Sequence, residues 1–237
     1  PCRICCGPAT GGFVHCFACR TVARRLHLPL VPVLPAHLCP APGPLYSVLM
    51  GYKESPVEEV RRHNTEVLRA HFASFFDDHE ACVTAALGGP PDLVLPVPST
   101  HRPGPSPLEQ ALHGFAALTG WAAPSWAPSL LRRTSVPVGH MRPQRDAYAV
   151  ADGARARIAG ARVLLLDDSY VSGARSQSAA SALGHAGARA RLIVPLGRLL
   201  RPERAVAHAT FAALHACGDA RCARCVRWGP APGSGPR

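Results

Sequence analysis

The sequence predicts an α/β protein, a parallel sheet flanked by helices, with a small cysteine-rich module ahead of it. Three observations predict this. Val163-Leu164-Leu165-Leu166 is an unbroken apolar run without polar alternation, as in a strand covered on both faces. Leu192-Ile193-Val194 is a second such run, and Asp92-Leu93-Val94-Leu95-Pro96-Val97-Pro98-Ser99 a third, leading into a turn. The stretches between them carry helical spacing, and strands alternating with helices imply a parallel sheet. With 237 residues the chain has room for one substantial α/β domain plus a small appendage. An apolar fraction of 47% is ordinary for a globular protein, so disorder is not the default.

The first segment carries Cys2-Arg3-Ile4-Cys5 and Cys16-Phe17-Ala18-Cys19. Two CxxC pairs separated by a short glycine-containing loop have the ligand spacing of a zinc ribbon, in which each pair gives two thiolates to one tetrahedral ion. Too few apolar residues lie here to fold without the metal, so the site is expected to be structural. Cys6, beside Cys5, is an alternative ligand, and a redox role for the cysteines is the competing reading. The N-terminus is not basic-then-apolar, so no signal peptide is expected, and no apolar run approaches the ~20 residues that span a bilayer. The protein is therefore expected to be cytoplasmic, where thiols stay reduced and ten cysteines read as metal ligands before disulfides.

A short basic helix is predicted near Thr21–Leu26, followed to Pro44 by a proline-rich linker or strand-like crossover containing Cys39. After the segment Leu45–Lys53, Ser55, Pro56 and Glu58 read as N-cap, first turn and capping box of a helix. Val57, Val60, Val67, Leu68, Phe72, Phe75 and Phe76 fall largely on its core face, and Cys82 follows as a buried, inert thiol. Gly88-Gly89-Pro90-Pro91 stops it. A second capping box, Ser106-Pro107-Leu108-Glu109, opens a helix with Leu108, Leu112, Phe115 and Leu118 on one side. Leu130 to about Ala159 is a long arginine-rich excursion with little apolar pattern. Such excursions in compact domains are functional or disordered. Ala174–Ala186 suits a helix. His215, Cys217, Cys222 and Cys225 form a candidate second metal site, with Cys39 or His215 as fourth ligand. The organisation expected is thus residues 1–40 as zinc ribbon and linker, 41–228 as the α/β domain, and 229–237 as a disordered tail.

Chemistry concentrates where the apolar strand ends. Asp167 and Asp168 are expected there, followed by a small-residue turn and a helix start. Ligands of open α/β sheets bind at the carboxyl ends of strands, and a helix N-terminus is a ready anion site. Acids and anion site together suit a ligand carrying a sugar diol, or its metal, and a phosphate.

The zinc ribbon, the Tyr52-Lys53 segment, the Pro96-Val97-Pro98 strand, the arginine-rich excursion and the Asp167-Asp168 loop follow one another in an order that resembles ComF-like phosphoribosyltransferases. The resemblance runs from Cys2 to about Gly197 and is closest to divergent members reading Gly-Ala-Arg-x-Gln-Ser-Ala-Ala after the acids, as at Gly173–Ala180. It implies a type I phosphoribosyltransferase sheet and binding of phosphoribosyl pyrophosphate (PRPP) with Mg²⁺. Asp167 and Asp168 would take the ribose hydroxyls, directly or through Mg²⁺. Val171, Ser172, Gly173, Ala174 and Arg175 would cradle the 5-phosphate. Pro98, Ser99 and Thr100 match the pyrophosphate loop, and Arg142 and Arg145 lie in the segment matching the flexible loop that closes over substrate. The chain departs from the family pattern at Val171 and Arg175, where threonines are usual. Two hydroxyl donors are lost there, and Arg175 either supplies a charged donor or fills the pocket.

Two functions follow from the resemblance. One is transfer of the phosphoribosyl group to a nitrogen acceptor with release of pyrophosphate. The other is a non-catalytic sensing or assembly protein on the same scaffold, beside the DNA-uptake or recombination machinery that the family name suggests. The net charge of +11 comes almost wholly from arginine, Lys53 being the sole lysine. That bias, beside abundant Ala, Pro and Gly, matches the residue usage of GC-rich genomes and takes weight from a functional reading of the charge. No basic run interleaved with aromatics marks a nucleic-acid surface, so nucleic acid is a weakly supported partner.

Overall fold

The computed structural model describes residues 1–98, 104–113, 125–201 and 203. In chain order it contains α1 (Phe17–Leu26), β1 (His37–Pro40), α2 (Pro44–Glu54), α3 (Glu58–Leu87), β2 (Leu93–Pro96) and α4 (Pro107–Leu112). There follow β3 (Leu131–Arg133), β4 (Tyr148–Val150), α5 (Arg155–Ile158), β5 (Arg162–Tyr170), α6 (Ala174–His185) and β6 (Ala190–Leu200). Four strands form one parallel sheet in the order β1-β6-β5-β2, and β3 and β4 form a separate antiparallel hairpin. The chain is an α/β protein, as its apolar runs predict. Among the described residues no helix is long and apolar enough to cross a membrane.

The two faces of the sheet follow from the period of two along β5. Val163 and Leu165 join a cluster with α6, the hairpin, Val31, Val33 and the four cysteines Cys2, Cys5, Cys16 and Cys19. Leu164 and Leu166 join a cluster with α2, α3 and α4, including Tyr52, Leu68, Phe72, Phe76 and Leu108. All four β5 side chains are fully buried, which is why the run carries no polar alternation.

Several boundaries differ from the sequence reading, each for a local reason. Strand β5 does not end before the acids but runs through them to Tyr170. Its ladder with β2 stops at Leu166, whereas β6 stays alongside as far as Arg198 opposite Tyr170. Helix α1 starts at Phe17 rather than near Thr21, because the second cysteine knuckle runs straight into it with Cys16 as N-cap. The proline-rich stretch becomes an edge: Leu34 and Ala36 donate to Ile193 and Pro195 carbonyls, and β1 then continues along β6. An edge strand tolerates prolines because one row of its N–H groups needs no partner.

Ser55 does not cap α3. Its N–H is already given to the Gly51 carbonyl, closing α2, so no capping box with Glu58 can form, and the helix starts at Glu58 after Val57. Val57 and Val60 are consequently exposed, while Leu68, Phe72, Phe75 and Phe76 form the core face as expected. The capping box at Ser106 is present, with Glu109 N–H donating to Ser106 Oγ at 3.2 Å. The excursion before β5 is packed rather than loose. The hairpin β3–β4 buries Leu130, Leu131 and Tyr148, and Gln144 N–H donates to Ser178 Oγ of α6 at 3.0 Å.

Candidate functional site

Two constellations carry chemistry. The first is the cysteine cluster. The Cys2–Cys5 knuckle closes through Cys2 N–H to the Gly7 carbonyl (2.8 Å) and Cys6 N–H to the Cys2 carbonyl (3.0 Å). Cys16 and Cys19 sit one helical turn apart at the start of α1. The ligand atoms of Cys2, Cys5, Cys16 and Cys19 lie within 4.8 Å of one another, and all four residues are buried. Cys5 Sγ and Cys16 Sγ are 3.7 Å apart. Four sulfurs at ~2.3 Å from one tetrahedral ion have edges of about 3.8 Å, so the donor set fits a structural zinc. Cys6 stands outside the set at a left-handed backbone position, which settles the ligand as Cys5. The four thiols share one hydrogen-bond network in which Cys2 and Cys5 are lowered and Cys16 and Cys19 raised, whereas a metal takes all four as thiolates. Cys217, Cys222, Cys225 and His215, the candidate second site, lie outside the described residues.

The second constellation lies at the carboxyl ends of the strands. Because β5 outreaches β2, Asp167 and Asp168 line a cavity of about 270 Å³ instead of abutting a neighbour strand. Lys53, Val97, the turn Val138–His140, Ser169 and the segment Val171–Ser176 complete its wall. Alternation sends the two acids to different partners. Asp167 accepts from Ser176 Oγ of α6 at 2.5 Å and from the Asp168 N–H at 3.0 Å. Asp168 takes the Tyr52 hydroxyl and the Lys53 ammonium, both from α2, and Ser169 Oγ at 3.1 Å.

These surroundings drive the two carboxyls apart. Burial, with the adjacent charge of Asp168, pushes Asp167 up to about 7. Burial opposes ionisation of Asp168 as well, but Lys53 and the hydrogen bonds from Lys53, Tyr52 and Ser169 outweigh it and hold Asp168 below the ordinary carboxylate value. Burial and then the Asp168 charge raise the Tyr52 phenol, so it remains a donor. At neutral pH the pair is therefore one fixed carboxylate and one carboxyl that exchanges its proton.

Beyond the acids, Val171 is exposed, Ser172 and Ala174 are buried, and Gly173 takes φ 80° as N-cap of α6 with no side-chain cap. A side chain at Gly173 would overlap the Tyr170 ring beneath it. At the start of α6 the Ala174 N–H donates to Ser172 Oγ at 3.4 Å, and Ala174, Arg175 and Ser176 line the cavity. Ser172 Oγ already accepts from Met141 N–H at 3.2 Å, so the hairpin turn rests on this loop.

The structure brings together Asp167, Asp168, Val171, Ser172, Gly173, Ala174 and Arg175. It does not bring every predicted residue to them. Pro98, just past β2, does not line the cavity although Val97 does, and Ser99 and Thr100 lie outside the described residues. Arg142 is exposed in the hairpin turn. Arg145 donates from its guanidinium to the Leu26 carbonyl at the end of α1 and lines a different cavity, so His140 rather than either arginine reaches the acid pocket. Lys53, Tyr52, His140 and Ser176 were not among the predicted site residues. The sole lysine of the chain standing beside a tyrosine was the available signal for the first two. Compared with the models of known protein families, with curated proteins and with solved structures, the chain returns no match.

Proposed function

We propose that the chain binds PRPP with magnesium and transfers the phosphoribosyl group to a nitrogen acceptor, releasing pyrophosphate, in the manner of the ComF-like phosphoribosyltransferases that its sequence resembles. The observation that carries this reading is the meeting of two consecutive carboxylates and a helix N-terminus begun by a glycine in one cavity. A sugar diol or its hard metal ion suits the carboxylates, and a 5-phosphate suits the N–H groups of α6 with Arg175. In the transfer the bond from the anomeric carbon to pyrophosphate breaks, a bond to nitrogen forms, and the nitrogen sheds a proton. Asp168 supplies fixed negative charge beside the cationic sugar, and Asp167 is poised to exchange a proton near neutral pH. A zinc ion in the cysteine cluster is structural in this reading.

Pyrophosphate release with PRPP, Mg²⁺ and a panel of nitrogenous bases tests it. Asp168→Asn is expected to lower turnover about 100-fold. Turnover unchanged by that substitution sinks the role given to the acids.

A second reading, a non-catalytic PRPP or nucleotide sensor, has one observation in its favour: Lys53 and Tyr52 already occupy Asp168. Calorimetric binding of PRPP without product from any base would select it. A place beside DNA-uptake machinery belongs to this second reading, and a steep fall of DNA affinity with salt is its signature.

A further inference from the structure

Arg198 stands near the end of β6 and is only 4% exposed. Its Nη1 donates to the carbonyls of Tyr170 (2.9 Å), Val171 (2.8 Å) and Leu199 (2.8 Å), so it grips the chain where β5 becomes the loop ahead of α6. Its Nη2 fills the space over Gly7, in the first cysteine knuckle, where a Cβ would collide with it. The guanidinium carbon also lies 5.4 Å from the centre of the Tyr170 ring, and that ring supports Gly173. One buried cation therefore touches both the cysteine module and the loop that lines the acid pocket.

We propose that Arg198 is a positioning residue that couples the metal state of the four-cysteine cluster to the order of the loop Tyr170–Ala174. Four thiolates around one divalent ion leave a double negative charge, and a buried guanidinium beside it is compensated. With the metal gone, the knuckle that carries Gly7 is no longer held in place, and the guanidinium packed against it loses its seat. Its tendency is then to leave, and the Tyr170 and Val171 carbonyls lose their donor. By linkage, a ligand that orders the loop must tighten the metal. The ligand arm of this inference rests on the PRPP reading; the loop arm does not.

The test uses the full, zinc-loaded chain. In Arg198→Met, amide exchange across Tyr170–Ala174 is expected to accelerate about tenfold or more, with α3 unchanged as internal reference. A variant that keeps its zinc and exchanges there as wild type does overturns the coupling. Loss of zinc from Arg198→Met, where wild type stays loaded, is the same coupling read from the other end. Should Arg198→Met not fold, Gly7→Ala keeps every cysteine and the arginine but displaces the guanidinium. It is expected to accelerate the same amides, and unchanged exchange overturns the proposal equally. In wild type, saturating PRPP with magnesium is expected to slow zinc release to a chromogenic chelator, and in Arg198→Met it is not. Accelerated exchange in the variants without any PRPP effect on wild type would keep the coupling and remove PRPP as the ligand.

Discussion

Asp167 and Asp168 are consecutive in sequence and belong to opposite halves of the molecule. Asp167 turns to the side of α6, where its partner is a neutral serine; Asp168 turns to α2, where a lysine and a tyrosine meet it. The same division holds for what supports each face of the sheet. The α2–α3 face is built from large side chains, Phe72, Phe75, Phe76 and Leu68 among them. The other face mixes large side chains, Leu95, Leu131, Tyr148 and Ile158 among them, with several alanines and with four cysteines that occupy the place of apolar side chains. Alanines and thiols bury less apolar area per residue than phenylalanines, and a metal at the cysteines adds to what packing gives there. One acid is thus set against a self-sufficient core and the other against a core that leans on its cysteine cluster.

Removing the metal is the strongest way to break this comparison. Chelation is expected to make amides of residues 1–34 exchange rapidly while α3 stays protected, since structural zinc sites contribute on the order of 10 kcal/mol. Metal analysis is expected to return at least one zinc per chain. Equal loss of protection on both faces would mean that the two cores are not separately supported.

A smaller effect sharpens the contrast at the acids themselves. Lys53→Met leaves Asp168 with Tyr52 and Ser169 as its remaining donors, and since Lys53 is 20% exposed the expected cost is about 2 kcal/mol at pH 7. The sign with pH follows from the direction of the shift. A carboxyl held below its unfolded value contributes stability that is present above about 3.8 and lost as pH falls through the lower folded value. The deficit of Lys53→Met is therefore largest at neutral pH and shrinks in acid, which thermal melts across pH 3–7 read directly.

How far such contacts were legible in the sequence depends on their range. The apolar run of β5 and the two CxxC pairs are local patterns, and both stand in the fold as read. The capping box at Ser106 formed because Ser106 follows a loop; that at Ser55 did not, because a second helix ends on the same residue. The contact of Tyr52 with Asp168 joins positions 116 apart, and no period or spacing announces it. The hairpin was opaque for a different reason. Its strands are too short for alternation, and part of what holds it to α6 and the loop ahead of α6 is a pair of backbone N–H groups, from Gln144 and Met141, bonding Ser178 and Ser172. Backbone donors leave no trace in residue identity. The strand's overrun through the acids was hidden likewise, because it depends on β6 reaching Leu200 while β2 stops at Pro96.

The smallest effect has the opposite sign and separates the acids most cleanly. Asp167 titrates near 7 in the fold against an ordinary 3.8, so between those values the folded chain keeps a proton that the unfolded chain has released. Stability then falls as pH rises through this window, and the loss is complete above about 7. The shift bounds the penalty at about 4 kcal/mol. Asn at this position has no proton to lose, can accept from the Asp168 N–H, and can donate to Ser176 Oγ in place of accepting from it. Against that stands the packing of an amide where a carboxyl fitted, so the net gain expected for Asp167→Asn is about 1 kcal/mol at pH 8. The gain should shrink toward pH 5, whereas the deficit of Lys53→Met persists there. A gain that instead grew in acid would place the proton elsewhere, and with it the exchangeable group of the site. A strained acid that stabilises the fold when neutralised is what a binding site retains at the expense of stability. Measured beside pyrophosphate release, Asp167→Asn is expected to raise the melting temperature and lower turnover.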